Sequence, residues 1–261
     1  MIDINFCFIY IKSMIIRYFS FLLPFFTVFL IGCAARQTGY GPRFSPVDKH
    51  IGKIAIISPD IYVYDVSGGG VPEFRADWSD IAETNLGEAL RELLQEKQVE
   101  GINIPKMHNL ATIDTVTSLV KLIISSIQNH LYGQNPFVTQ LDTFNYHTGP
   151  LSELCHNLQV DAVMFTFGSD ENFSLMRKNI LKRATTAKNV NAAISAILTG
   201  TIKTYSVPRE RTFLCCLVAD SEGKIIWYKQ YKESDGADLR TTSDADKISR
   251  RVLYGLNFRK Q

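Results

Sequence analysis

Residues 77–97, DWSDIAETNLGEALRELLQEK, decide the fold class. Ile81, Ala82, Leu86, Ala89, Leu90, Leu93 and Leu94 recur at helical spacing, while Glu83, Glu88, Arg91, Glu92 and Lys97 fall on the other faces. A one-sided, Leu-rich stripe must be covered by an apolar surface, and a sheet is the surface that fits a single long helix. The spacing therefore predicts a helix packed on a sheet, with the polar stretch Asp77–Asp80 supplying its N-cap.

The strands of that sheet are sought on either side. Upstream, Lys53-Ile-Ala-Ile-Ile-Ser58 is a β-branched apolar run ended by Pro59, the composition of a central strand buried on both faces. A second extended piece, Ile61–Asp65, leads into Ser67-Gly-Gly-Gly70, which matches neither phosphate-binding glycine pattern and reads as a mobile loop. Downstream, a brief strand is predicted from Gly101 to Pro105. A second helix follows at 112–132, started near Thr112 or Asp114 and stopped by Gly133, with Val116, Leu119, Val120, Leu122, Ile123, Ile124 and Ile127 inward. Gln134–Gly149 reads as a long connection, 151–158 as a helix, and Asp161–Phe167 as another buried strand. Thr212–Ala219 and Lys224–Tyr231 flank Asp220-Ser-Glu-Gly223 as an antiparallel hairpin, with Ile226, Tyr228 and Gln230 on one face and Ile225, Trp227, Lys229 and Tyr231 on the other. Ser243–Asp246 caps a closing helix that turns Ile248, Val252, Leu253 and Leu256 inward. The expected fold is α/β: a three-layer sandwich with a mixed central sheet flanked by helices, a carboxy-terminal β-hairpin and a closing helix.

One segment has a composition of its own. Residues 172–200 are basic first (Arg177, Lys178, Lys182, Arg183, Lys188) and small and apolar afterwards (Ala192, Ala193, Ile194, Ala196, Ile197, Leu198). Basic plus apolar is the composition of membrane-touching amphipathic elements. A helix lying on the sheet or on a neighbouring subunit is the alternative, and the favoured one.

The amino terminus carries the clearest functional signal. From Tyr18 to Ile31 the chain is uncharged and apolar, interrupted by Pro24 and preceded by Arg17. That run is short of the roughly 20 apolar residues needed to cross a bilayer but suits the apolar region of a signal peptide. It ends in Leu30-Ile31-Gly32-Cys33, which resembles the lipobox of bacterial lipoproteins, in which the Cys sulfur takes a diacylglycerol. The resemblance implies a signal peptide over residues 1–32, with translation starting at Met14, then a lipidated linker over 33–50 and a periplasmic α/β domain over 51–261. Cys33 is the lipid-attachment residue, and Ala34 after it favours the outer membrane, at its periplasmic face. A plain secretory signal, or an uncleaved anchor with Cys33 an incidental thiol, is the alternative.

Removing residues 1–32 leaves 229 residues with 26 Lys and Arg against 25 Asp and Glu, a balance that argues against nucleic acid as the principal partner. Cys155, Cys215 and Cys216 are an odd set for an oxidising compartment. Either Cys155 pairs with one of the adjacent two, or all three are buried thiols. The five histidines show no ligand spacing, Cys155-His156 point in different directions on a helix, and no Gly-x-Ser-x-Gly elbow exists, so no metal, cofactor or catalytic residue is expected. Asp170-Glu171, placed beyond the strand end at Phe167, is a candidate binding pair, and Trp78 and Trp227 read as core or interface aromatics.

The strand Ile-Ala-Ile-Ile-Ser-Pro, the helix Asp-Trp-Ser…Asn-Leu…Ala-Leu, the strand Val-Asp-Ala-Val-Met-Phe, the hairpin Asp-Ser-Glu-Gly-Lys-Ile-Ile-Trp and the terminal helix together resemble periplasmic lipoprotein modules. These are related to the curli-assembly secretion lipoprotein and to the amino-terminal domain of the Tol-system propeller protein, and the likeness spans Lys53 to Phe258. It implies a scaffold that assembles at an envelope surface, anchored by lipid, with envelope protein partners or copies of itself. The chain lacks the paired long membrane hairpins of the curli channel, so a pore is not expected. A periplasmic small-molecule or peptide binding module is the second expectation.

Overall fold

The computed structural model describes residues 51–105, 111–132, 146–233, 236–256 and 258. The expected signal segment, Cys33, the expected linker to residue 50, Gly133 and most of the 134–149 connection lie outside the described residues.

The α/β sandwich forms as expected, around one mixed sheet of seven strands. Its spine is β5 (Ala162–Phe173), flanked on one side by β6 (Arg211–Asp220), antiparallel, and beyond it β7 (Ile225–Glu233), also antiparallel. On the other side two short strands lie end to end. β1 (Lys53–Ile57) runs parallel to Ala162–Met164, and β2 (Asp60–Val66) continues parallel to Phe167–Phe173. Ile56 is level with Met164 and Asp60 with Phe167, so four steps on one strand match three on the other. The extra residue falls at Ser58-Pro59, where a proline without an N–H is tolerated in a bulge. It also reverses parity: Ile54 and Ile56 share a core with Ile61 and Val63. β4 (Glu100–Ile104) pairs parallel with β1, and β3 (Pro72–Phe74), which sequence reading missed, pairs antiparallel with β2. Ser67–Gly70 is the turn of that β2–β3 hairpin, with Gly70 at φ +85.

Two apolar layers cover the sheet. One is α1 (Ala76–Glu96) with α5 (Thr242–Val252), whose Leu86, Leu90, Leu94, Ile248 and Val252 meet Ile54, Met164, Leu214 and Cys216. The other is α2 (Ala111–Tyr132) with α3 (Ser152–Leu158), whose Val120, Ile124, Ile127 and Leu154 meet Ala55, Val163, Phe165 and Cys215. α5 also grips α1 through Arg250, which donates to both carboxylate oxygens of Glu96 at 2.7 and 2.6 Å.

Several local expectations change. α1 starts at Ala76 with no side-chain cap, while Ile81 is exposed and Glu83 is buried, the reverse of the helical-wheel assignment. In α2, Leu119 and Leu122 face solvent, because the inward stripe is Ile113, Val120, Ile123, Ile124 and Ile127. α5 is capped two residues earlier than expected, by Thr241, whose Oγ1 accepts from the Asp244 N–H at 3.3 Å. In β7 a bulge opposite Val218/Ala219 breaks the alternation, putting Ile225 and Tyr228 in one layer and Ile226, Trp227 and Tyr231 in the other.

Cys155, Cys215 and Cys216 are three buried thiols, and alternation on β6 sends Cys215 and Cys216 to opposite layers. Burial pushes Cys155 up to about 11 and Cys215 up to about 12. In the full chain carrying Cys7→Ser and Cys33→Ser, a thiol reagent at neutral pH is expected to find no reactive group in the native state and three after denaturation, with or without prior reduction. Fewer than three without reduction would mean a disulfide.

Candidate functional site

β5 and β6 are antiparallel neighbours, yet no tight turn joins them. Between Phe173 and Arg211 the chain builds an arm: α4 (Leu175–Thr199), then an extended return, 200–210. Ser174 caps α4, its Oγ accepting from the Arg177 N–H at 3.2 Å, and Gly200 at φ +69 ends it. Twenty-five residues at 1.5 Å each make it about 37 Å long.

The arm is held at its base and along one face. At the base Met176 and Arg177 lie against the glycine turn, where a Cβ at Gly68 would come within 2.8 Å of the Met176 sulfur and one at Gly70 within 3.1 Å of the Arg177 guanidinium. That close approach favours glycine at 68 and 70, and the positive φ of Gly70 favours it there as well. Lys178 pairs with Glu210 at 2.6 Å; burial alone would raise the Glu210 carboxyl, but the Lys178 ammonium holds it below its ordinary value. Farther out, Asn189 clamps the return segment, its Nδ2 donating to the Tyr205 carbonyl at 2.9 Å and its Oδ1 accepting from the Tyr205 N–H at 2.7 Å.

Elsewhere the arm is bare. Among the side chains described on α4 only Thr185 is buried, with Leu181, Asn189, Ala192 and Ala196 half-buried on the same face. Of the favoured expectation, a helix lying on the sheet or on a neighbouring subunit, the first half is thus not met. The opposite face carries Met176, Ile180, Arg183, Ala187, Val190, Ile194 and Ile197, spaced alternately by four and three, all exposed, Ile197 at 85 %. From Leu175 to Arg209 there are seven Lys and Arg and no Asp or Glu. No described helix is long and apolar enough to cross a membrane.

The other candidate residues fall apart in space. Asp170 is not beyond the strand end, because β5 runs to Phe173; its carboxylate is fully buried. It accepts from Thr212 Oγ1 at 2.8 Å, Asn172 Nδ2 at 3.1 Å and the Leu239 N–H at 3.0 Å, and so pins the 236–241 loop to the sheet. Burial raises its pKa despite these donors, and Asp238 adds to the rise. Glu171 is half-exposed on the same strand and Cys155 and His156 stay on α3, away from that loop. Trp78 is stacked by Arg240 at 3.8 Å and Arg75 at 4.3 Å, each guanidinium tied to its own aspartate, Asp238 and Asp77. It works as cement between α1 and the 236–241 loop.

A second feature lies at the carboxyl ends of β1 and β4, where open α/β sheets commonly take ligands. Two clefts flank Ser58: one of about 420 Å³ against α2, holding the Asp60–Lys121 ion pair, Asp114 and Thr117, and one of about 470 Å³ against α1, lined by Asp80, Glu83, Glu88 and Asn103. Among the described residues no three His, Cys, Asp or Glu side chains gather to hold a metal. Sequence reading found the arm by its composition but missed the stripe, which counting at a period of 3.5 would have exposed. No known family profile and no curated protein matches the chain in sequence.

Proposed function

We propose that this chain is a periplasmic lipoprotein, held at the outer membrane through Cys33, in which the α/β domain has a structural or assembly role and performs no catalysis. The likeness to envelope-assembly lipoprotein modules agrees with that role. The observation that carries it is the arm. A 25-residue helix that leaves its apolar face in water contributes little to its own domain, and exposed apolar surface of this extent marks a docking element. A tether that confines the domain to a surface raises its effective concentration for such docking.

Cys33→Ser is expected to leave the domain folded and to release it from the membrane fraction on a high-salt wash that leaves the wild-type chain attached. In parallel, the detergent-extracted wild-type chain should run larger than a monomer or retain envelope proteins on pull-down. Membrane retention of the serine variant that survives a high-salt wash would overturn the tether, and a strict monomer without partners would overturn the assembly role. The clefts beside Ser58 favour one second reading, a small-molecule or peptide binding module, which ligand-dependent thermal shifts would reveal.

A further inference from the structure

We propose that the outer face of α4 lies on an anionic lipid bilayer. A bilayer is within reach because of the tether proposed above, on which this inference rests. The stripe from Met176 to Ile197 is about 32 Å long, continuous along one side of the helix and exposed throughout. Helical projection places Lys182 on one flank of it and Lys188 on the other, the arrangement that lets an apolar face sink to the acyl boundary while long cationic side chains reach back to the headgroups. The return segment lies against α4 on the side of Lys188 and Ala192, so it leaves the stripe open. It adds Lys203 and Arg209, and its one acid, Glu210, is taken up by Lys178 at the base.

Charge selects the occupant. The arm holds seven of the 28 Lys and Arg and, of the 26 Asp and Glu, only Glu210 at its base, which Lys178 pairs, so the rest of the chain is net acidic. Lys182, Arg183, Lys203 and Arg209 make no ion pair among the described residues. Spacing by four and three would also suit a second helix, but two copies of α4 side by side would bring like charges together, with Arg183 inside the stripe itself. An anionic surface gains from every cation close to it. Diacyl anchoring is already stable, so the arm is needed for orientation and not for affinity. With Cys33 at one point and α4 at another, the domain sits on the bilayer in a defined pose.

The test uses the full chain carrying Cys7→Ser and Cys33→Ser, so that no acyl anchor contributes, with an environment-sensitive fluorophore on Ile194→Cys or, as a control on the body, Glu73→Cys. Mixed phosphatidylglycerol–phosphatidylcholine vesicles are expected to shift the Ile194→Cys emission to the blue and to leave the Glu73→Cys emission unchanged. Raising salt should reverse the shift, and Lys182→Glu with Arg183→Glu and Lys203→Glu should weaken partitioning at least about tenfold. The proposal is overturned by no shift on anionic vesicles, or by an equal shift on phosphatidylcholine alone that salt and charge reversal leave intact. It is also overturned by a shift that grows with protein concentration in the absence of lipid, which would make a second copy the occupant, or by one produced by a soluble acidic polypeptide and not by vesicles. Because the label reports on the stripe and not on attachment or partners, these outcomes are separate from loss of the tether or of the assembly role.

Discussion

Asp170→Ala is expected to lower the unfolding free energy by about 3 kcal/mol, because it strands three donors inside the protein. The Leu239 amide has no alternative at hand, and Thr212 keeps only a longer 3.4 Å bond to the Ala237 carbonyl. The loop that carries Arg240 onto Trp78 is pinned through that amide, so the loss should also loosen the seam between α1 and the 236–241 loop. Asp170 has a second signature, in pH. Burial raises its folded pKa above the ordinary 3.8, so in the interval between those values the folded chain binds more protons than the unfolded one. Stability must then fall as pH rises through that interval and stay lower above it, by the linkage relation. Glu96, held low by Arg250, imposes the opposite slope below its ordinary 4.5, but it does so in wild type and variant alike. Urea unfolding of wild type and Asp170→Asn over a pH series isolates the term. The stability of wild type relative to Asp170→Asn should decline on raising pH above about 3.8. A flat difference would mean that the carboxyl is not strained by burial.

Gly168→Ala is the other large loss, about 3 kcal/mol or more. Gly168 sits opposite Leu214 on the sheet's spine, and an added Cβ would come within 2.4 Å of the Phe213 carbonyl oxygen and 2.8 Å of Leu214 Cδ1. The first of these is backbone in a paired strand and cannot swing away, so β5 and β6 must part locally. Gly149→Ala is the control. Its φ of +76 is costly for a side chain, but nothing lies within 4 Å of the added carbon, so only conformational strain of about 1 kcal/mol is expected. Chemical denaturation of the two variants should separate them by about 2 kcal/mol; equal losses would mean that the β5–β6 ladder yields easily.

The contrast between α1 and β1–β2 marks what could be read from residues alone. In α1 the period of the leucines was enough to place a helix on a sheet, since Leu86, Leu90, Leu93 and Leu94 are all buried in its core. It was not enough for Glu83, because a carboxylate is assigned to water until a buried backbone amide is known to need it. β1 and β2 were legible as two extended runs. Their union into one flank of β5 was not, because a one-residue bulge at Ser58-Pro59 flips which residues share a face. Asp170 was misplaced for a related reason: after Phe167 the strand continues through Gly, Ser, Asp, Glu and Asn, poor strand formers that only pairing with β2 and β6 sustains. For the arm, composition announced the basic and apolar character. Its exposure depends on which surfaces the sheet leaves free, which no local pattern encodes.

The junction between β4 and β3 carries a further consequence. Along the outer flank of β1–β2, the Ser58 N–H still reaches the Ile104 carbonyl and the Arg75 N–H reaches the Val63 carbonyl, but between them no strand among the described residues lies alongside. There α1 closes the gap with side chains: Glu83 Oε1 accepts from the Ile61 N–H at 3.3 Å and Ser79 Oγ from the Val63 N–H at 3.0 Å. One helix thus serves both as core and as chaperone of an unfinished ladder. If α1 lifted, Ile61 and Val63 would offer open amides on a β-branched strand, a template for intermolecular β-pairing. Under the proposed tether, which would confine copies of the protein to a two-dimensional surface, Ser79 and Glu83 guard against aggregation as much as they stabilise the fold.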